Sequence, residues 1–207
     1  SKTYGCITTT PKPGWAWCDM VGTFRRALGV SVGFDTDVNA SVLGEVRFGQ
    51  GRGLSTVLYL TVGTGIGLGV YLNGALHHGI VHPEAGHVLL SLHPEEHWTC
   101  RCPYHPNCLE GLACGPAIEE RWGARAEALA QRRKVWEMEA YYIAQALVDY
   151  ICILAPEKII LGGGVMRQRQ LFPLIRSEVR RMMGGYLAAE ELNDLDTYIV
   201  PESLNGD

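Results

Sequence analysis

From Val135 to Leu154 the chain is apolar on nearly every side. Ile143, Leu147, Ile151 and Leu154 recur at helical spacing on one face, and Ala146, Tyr150 and Ile153 make the opposite face almost as apolar. A helix with so little polar surface has to be enclosed by other elements. Pro156 ends it, and KIILGGGV (158–165) follows at once as an apolar strand running into three glycines. A buried helix that feeds a buried strand implies an α/β fold.

The rest of the chain continues the alternation. VSVGF (30–34) predicts a short strand, and 38–48 a helix with Val38, Val42 and Val46 on one face. TVLYLTVGTGIGLGVYLNGAL (56–76) predicts two strands folded back around the glycines of GTGIG. A loop-rich stretch fills 77–108, short helices are expected within 115–130, another helix over 167–183 and a last strand at 197–200. Residues 1–20 are turn-rich, with Pro11, Pro13 and Gly14 beside Trp15 and Trp17.

A chain of 207 residues can bury a core as one larger domain or two small ones. Its net charge of -4 argues against a nucleic-acid partner, which favours a basic face. No apolar run approaches the ~18 residues that span a bilayer. The opening SKTYGCITTTPKPGW lacks the basic-then-apolar pattern of a signal peptide, so the expected location is the cytoplasm. Four of the seven cysteines, Cys100, Cys102, Cys108 and Cys114, crowd together beside histidines, which in such a chain suits a metal better than disulfides. Cys6, Cys18 and Cys152 are expected to be small core residues.

Four segments carry candidate chemistry. In TVGTGIGLG (61–69) the glycines allow sharp turns and close approach of backbone N–H groups to an anion, while Thr61 and Thr64 add hydroxyls; a ligand-free glycine hairpin is the alternative. IILGGGV (159–165) opens a strand through small residues towards a helix, which suits a nucleotide or simply a tight turn. In DTDVNAS (35–41), Asp37 stands at a helix start, as a cap or as a base held ionised by the helix N-terminus, and Asn39 can orient a substrate. In HPEAGH (82–87) and CRCPYHPNC (100–108), Cys102, His105 and Cys108 are spaced by three, and His87 offers a fourth ligand. Two thiolates and two imidazoles form a closed tetrahedral set for structural zinc, with Cys100 as a competing ligand and free thiols in a turn as the alternative. The remaining histidines, 77, 78, 82, 93 and 97, are expected at the surface. Glu84 and Glu110 flank the cluster, where a metal would fix their relative positions.

In this order PKPGW, DTDVNA, LTVGTGIGLG, HPEAGH, CPYHPNC, LEGLACGPAIEERWG and IILGGGV resemble the ROK family (repressor, open reading frame, kinase) along essentially the whole chain, nearest to its zinc-containing bacterial fructokinases. The resemblance implies an α/β fold of the actin-like ATPase or ribonuclease H-like kind. Residues 1–50 would be the remainder of the N-terminal lobe and 51–207 the C-terminal lobe. It implies ATP- and Mg²⁺-dependent phosphorylation of a hexose, D-fructose to fructose 6-phosphate, with Asp37 as general base. Thr36, Asn39, Glu84, His87 and Glu110 would meet the sugar. Thr61, Gly63, Thr64, Gly65 and Gly67, with Gly162, Gly163 and Gly164, would meet the nucleotide. His87, Cys102, His105 and Cys108 would hold structural Zn²⁺. The implied assembly is a homodimer with neither nucleic acid nor membrane as partner.

Two departures bear on the substrate. A histidine sits inside the zinc loop, and Thr36 replaces the Asn that glucokinase-like members carry; both tilt the expectation away from glucose. Kinases of glucose, mannose or N-acyl-hexosamines, a repressor body and a non-catalytic sugar-binding fragment are the alternatives. The family's first phosphate loop, of Asp-x-Gly-Gly-Thr type, has no match, the chain opens at Ser1, and it stops at Gly206-Asp207. The expectation is a piece of a longer enzyme that does not phosphorylate sugar alone.

Overall fold

The computed structural model describes residues 3–8, 10 and 13–204, so Pro11 and Lys12 of PKPGW and the terminal Gly206-Asp207 lie outside the described residues. The chain divides into two compact units, Ser1–Thr36 and Asp37–Asp207.

In the smaller unit, β1 (Cys6–Ile7) pairs antiparallel with β2 (Cys18–Asp19), which runs directly into α1 (Met20–Leu28). Asp19 caps this helix by accepting from Gly22 N, and Gly29 closes it in the left-handed conformation. The expected strand at 30–34 does not form. Residues 31–36 belong to no helix, turn or strand, and the Phe34 N–H donates to the Tyr4 hydroxyl at 3.0 Å instead of to a ladder.

The larger unit is built on a five-stranded sheet of order β5-β4-β3-β6-β7. Its strands are β3 (Val57–Val62), β4 (Ile66–Leu72), β5 (Ala75–Leu76), β6 (Lys158–Gly162) and β7 (Ile199–Pro201). β3 and β4 form the expected hairpin with Val62 opposite Ile66, while β3 pairs parallel with β6 and β6 parallel with β7. Alternation along β3 sends Leu58, Leu60 and Val62 to one face and Val57 and Tyr59 to the other.

Helices cover both faces. α2 (Asp37–Phe48) lies on one, burying Val42 and Val46 with Val57, Tyr59 and Ile160. The buried Glu45 carboxylate fastens α2 by accepting from Gln50 N, Ser203 N and Leu204 N at 2.7–3.0 Å. A compact boundary falls just before α2.

On the other face come α3 (Leu109–Ala113), α4 (Gly115–Trp122), α5 (Arg133–Leu154) and α6 (Leu171–Met183), and α7 (Leu195–Tyr198) is a single turn before β7. α5 is enclosed as its composition requires, except that Ile153, expected to be buried, is 77% exposed. A 3₁₀ turn at Val165–Arg167 separates β6 from α6, so the helix starts later than expected. Of the strand expected at 197–200, residues 199–200 lie in β7, while 197–198 end α7, which the Asp194 side chain starts by accepting from Asp196 N. Cys152 is exposed and Cys6 and Cys18 are half-buried, so these three are not core residues. No helix among the described residues is long and apolar enough to cross a membrane.

Candidate active site and metal centre

The parallel pairing of β3 with β6 puts both glycine turns at one sheet end. Thr61 stands opposite Gly162 in the ladder, so Gly63–Gly65 and Gly163–Gly164 leave the sheet side by side. Gly163 adopts φ +91°, and a Cβ there would stand 2.6 Å from the Val62 carbonyl oxygen, so only glycine lets the two turns approach. Gly63 N donates to Gly65 O at 2.9 Å, and Gly63 O accepts from Gly115 N, the first residue of α4, at 2.7 Å. Between the turns and α4 lies an open cleft of about 410 Å³ lined by Gly63, Thr64, Gly115, Arg125, Gly164 and Val165 among others. Thr61 and Gly162 are strand residues at its root, and Gly67 lies on β4, where its bare Cα admits Val38 of α2.

Asp37 is the first residue of α2, exposed, with its Oδ1 accepting from Val38 N at 2.9 Å. A carboxylate in this position interacts favourably with the aligned peptide dipoles of the helix. Asn39, two residues further along α2, is fully buried with its amide nitrogen 3.4 Å from His78 Nε2. Thr36 ends the smaller unit, and its N–H donates to Asp35 Oδ1.

The metal-ligand quartet assembles as the spacing predicts. Strand-like pairing of Leu89 with Cys108, backed by Leu109 N to Val88 O at 3.0 Å, draws the HPEAGH turn against the cysteine loop. One ligand atom from each of His87, Cys102, His105 and Cys108 then lies within 4.8 Å of the others. His105 Nδ1 is 3.4 Å from Cys102 Sγ, and His87 Nδ1 is 3.6 Å from Cys108 Sγ. Tetrahedral zinc with ordinary Zn–S and Zn–N bonds needs sulfur–nitrogen separations of about 3.5 Å, so the residues fit the ion. Burial, reinforced by the neighbouring thiols, pushes the Cys108 thiol up to about 12, while Gly111 N–H donating to its sulfur pulls the other way. Cys100 is buried against Gly111 and does not join the quartet.

The two flanking carboxylates have different fates. Glu84 is exposed and pairs with His82 at 2.7 Å. Glu110, on α3, points back to the glycine loop and accepts from Ile66 N at 2.8 Å, with its other oxygen 3.9 Å from His87 Nε2. Two further residues position the site without having been singled out. The Tyr150 hydroxyl, buried on α5, donates to Ala85 O at 2.7 Å and anchors the HPEAGH turn. Arg125 lines the cleft. The apolar pattern of α5 masks the tyrosine's polar task, and nothing in the local sequence marks the arginine.

The sequence profile of the ROK family matches residues 1–200. A Bacillus subtilis (strain 168) protein provisionally named a fructokinase is 52% identical over 205 residues, 99% of this chain and 69% of that protein. A fructokinase of Pediococcus pentosaceus is 43% identical over 97% of this chain and 69% of its own length. Among solved structures, a ROK hexokinase from Thermus thermophilus superposes with a TM-score of 0.76 at 25% identity, covering 91% of this chain and 68% of that one. The mixed α/β architecture is that of the ROK sugar kinases and the actin-like ATPases, and the chain belongs to the ROK family.

Proposed function

We propose that this chain is part of a kinase that phosphorylates a hexose with ATP, its substrate being D-fructose and its product fructose 6-phosphate. The observation that carries the reading is 52% identity across 99% of the chain to a relative bearing the fructokinase name. Asp37 is the general base, fixed by Val38 N–H so that it can take the proton of the attacking hydroxyl. Thr36, Asn39, Glu84, His87 and Glu110 are the sugar-facing residues. The cleft between the two glycine turns receives the nucleotide, where Gly63 lets the backbone come close, Thr64 and Gly164 offer hydroxyl and backbone donors to phosphate, and Arg125 offers a counter-charge. Bound Mg·ATP supplies the transferring group and neutralises its charge, so the chain's own contribution is positioning and proton transfer. The His87, Cys102, His105 and Cys108 quartet holds zinc, which staples the sugar-facing turn without taking part in the reaction. Residues 1–50 and 51–207 belong to the two lobes of the kinase, which works as a cytoplasmic homodimer.

A coupled ADP-release assay over a hexose panel tests this. Fructose should give a higher kcat/KM than glucose, mannose or N-acetylglucosamine. A preference for one of the others would overturn the substrate, and absence of turnover with every sugar by the full-length protein would overturn the activity.

A further inference from the structure

Glu110 bridges the metal centre and the glycine loop. Its Oε2 accepts from Ile66 N at 2.8 Å, and a Cβ on Gly65 would stand 2.8 Å from that same oxygen. Glycine at 65 thus makes room for a carboxylate from α3, a different task from approach to a phosphate. The other oxygen faces His87 Nε2 at 3.9 Å, the ring nitrogen opposite the one turned to the thiols. That separation exceeds a hydrogen bond, so the pair acts through charge. An imidazole that ligates a cation through Nδ1 carries more positive charge at Nε2–H and draws the carboxylate more strongly. From Ile66 the connection continues through Gly65 O to Gly63 N at 2.9 Å and on to the cleft.

We infer that Glu110 is a positioning residue that couples metal occupancy to the conformation of the glycine loop, so that metal and nucleotide reinforce one another's binding. The inference rests on the reading above, that the quartet holds zinc and the loop meets nucleotide phosphates. Coupling of this kind is reciprocal: if the metal favours the phosphate-binding loop, the nucleotide must tighten metal binding by the same factor, which slower metal release would report.

The experiment follows zinc release from the purified protein to a colorimetric chelator, with and without a saturating non-hydrolysable ATP analogue and Mg²⁺. The nucleotide should slow release about five-fold or more, the lower range of allosteric coupling. Glu110→Gln keeps an oxygen for Ile66 N–H but removes the charge facing His87, and should bring the two release rates together. Gly65→Ala, which forces the carboxylate off Ile66 without touching a ligand, should do the same and serves if the first variant fails to fold. Equal slowing in wild type and either folded variant would overturn the inference, as would nucleotide-independent release from a wild type that binds both. A wild type that holds no zinc, or binds no analogue by calorimetry, would overturn the functional reading and the inference with it.

Discussion

The Arg121 guanidinium stands 3.0 Å from the Glu96 carboxylate with their side chains only 5% and 2% exposed. Tyr142 donates to the same carboxylate at 2.8 Å, the Trp98 ring lies 4.8 Å from the guanidinium, and Leu112 O accepts from it. This pair pins the segment ahead of the cysteine loop to α4 and α5. Arg121→Met leaves Glu96 charged and enclosed without its partner and should cost about 3–5 kcal/mol in urea unfolding. A loss below about 1 kcal/mol would mean that water reaches Glu96 in the native protein.

Glu139, on α5, is fully buried, and its Oε1 has no hydrogen-bond partner among the described residues. Burial holds its carboxyl well above the ordinary 4.5, with Arg121 drawing it partly back. The native protein keeps this proton where the unfolded chain releases it, so stability is lost as pH rises from about 4.5 towards the native value. Glu139→Gln cannot ionise. Its advantage over wild type should grow above about pH 4.5 by up to ~1.4 kcal/mol per pH unit until native Glu139 ionises. Urea midpoints across that range check this, and a pH-independent difference would contradict it.

Metal binding should be visible as proton release. Cys108, pushed up to about 12 without metal, must lose its proton to ligate, as must Cys102. Zinc added to metal-free protein near neutral pH should release about two protons and be retained at about one ion per chain. Cys108→Ser should lose the metal and unfold at a lower temperature. Full zinc retention by Cys102→Ser, His105→Ala and Cys108→Ser together would remove the assignment.

Asp37→Asn preserves the size of the side chain and an oxygen for Val38 N–H. It should lower kcat by ~100-fold or more with little change in melting temperature, the pattern of a lost base. Near-normal turnover from a less stable protein would make Asp37 a structural residue instead.

What the sequence made legible was local. Cys102, His105 and Cys108 lie on one loop at equal spacing, so their convergence needs no knowledge of the fold. α5 announces itself because an apolar run that long has no alternative to burial. α1 escaped notice because it has only Val21 buried and is otherwise defined by its ends, Asp19 and Gly29. The strand expected at 30–34 had the right residues but joins no ladder among the described residues. Tyr142 meets Glu96 across 46 residues, and such a pairing leaves no periodic trace. The glycines were visible, but their tasks were not: Gly67 admits Val38, and Gly65 admits a carboxylate.

The parallel pairing of β3 with β6 also sets a schedule. The first contacts of that ladder join residues about a hundred apart, as in Ser55 N to Glu157 at a separation of 102. Closing so long a loop is slow, because chain entropy is lost before the pairing repays it. The metal loop and α5 lie inside it and can form from nearby residues. The cysteine loop is therefore expected to take up zinc early in refolding, and the cleft between the glycine turns to appear only in the last phase. Stopped-flow refolding that follows metal uptake and nucleotide fluorescence together should show the first rising before the second.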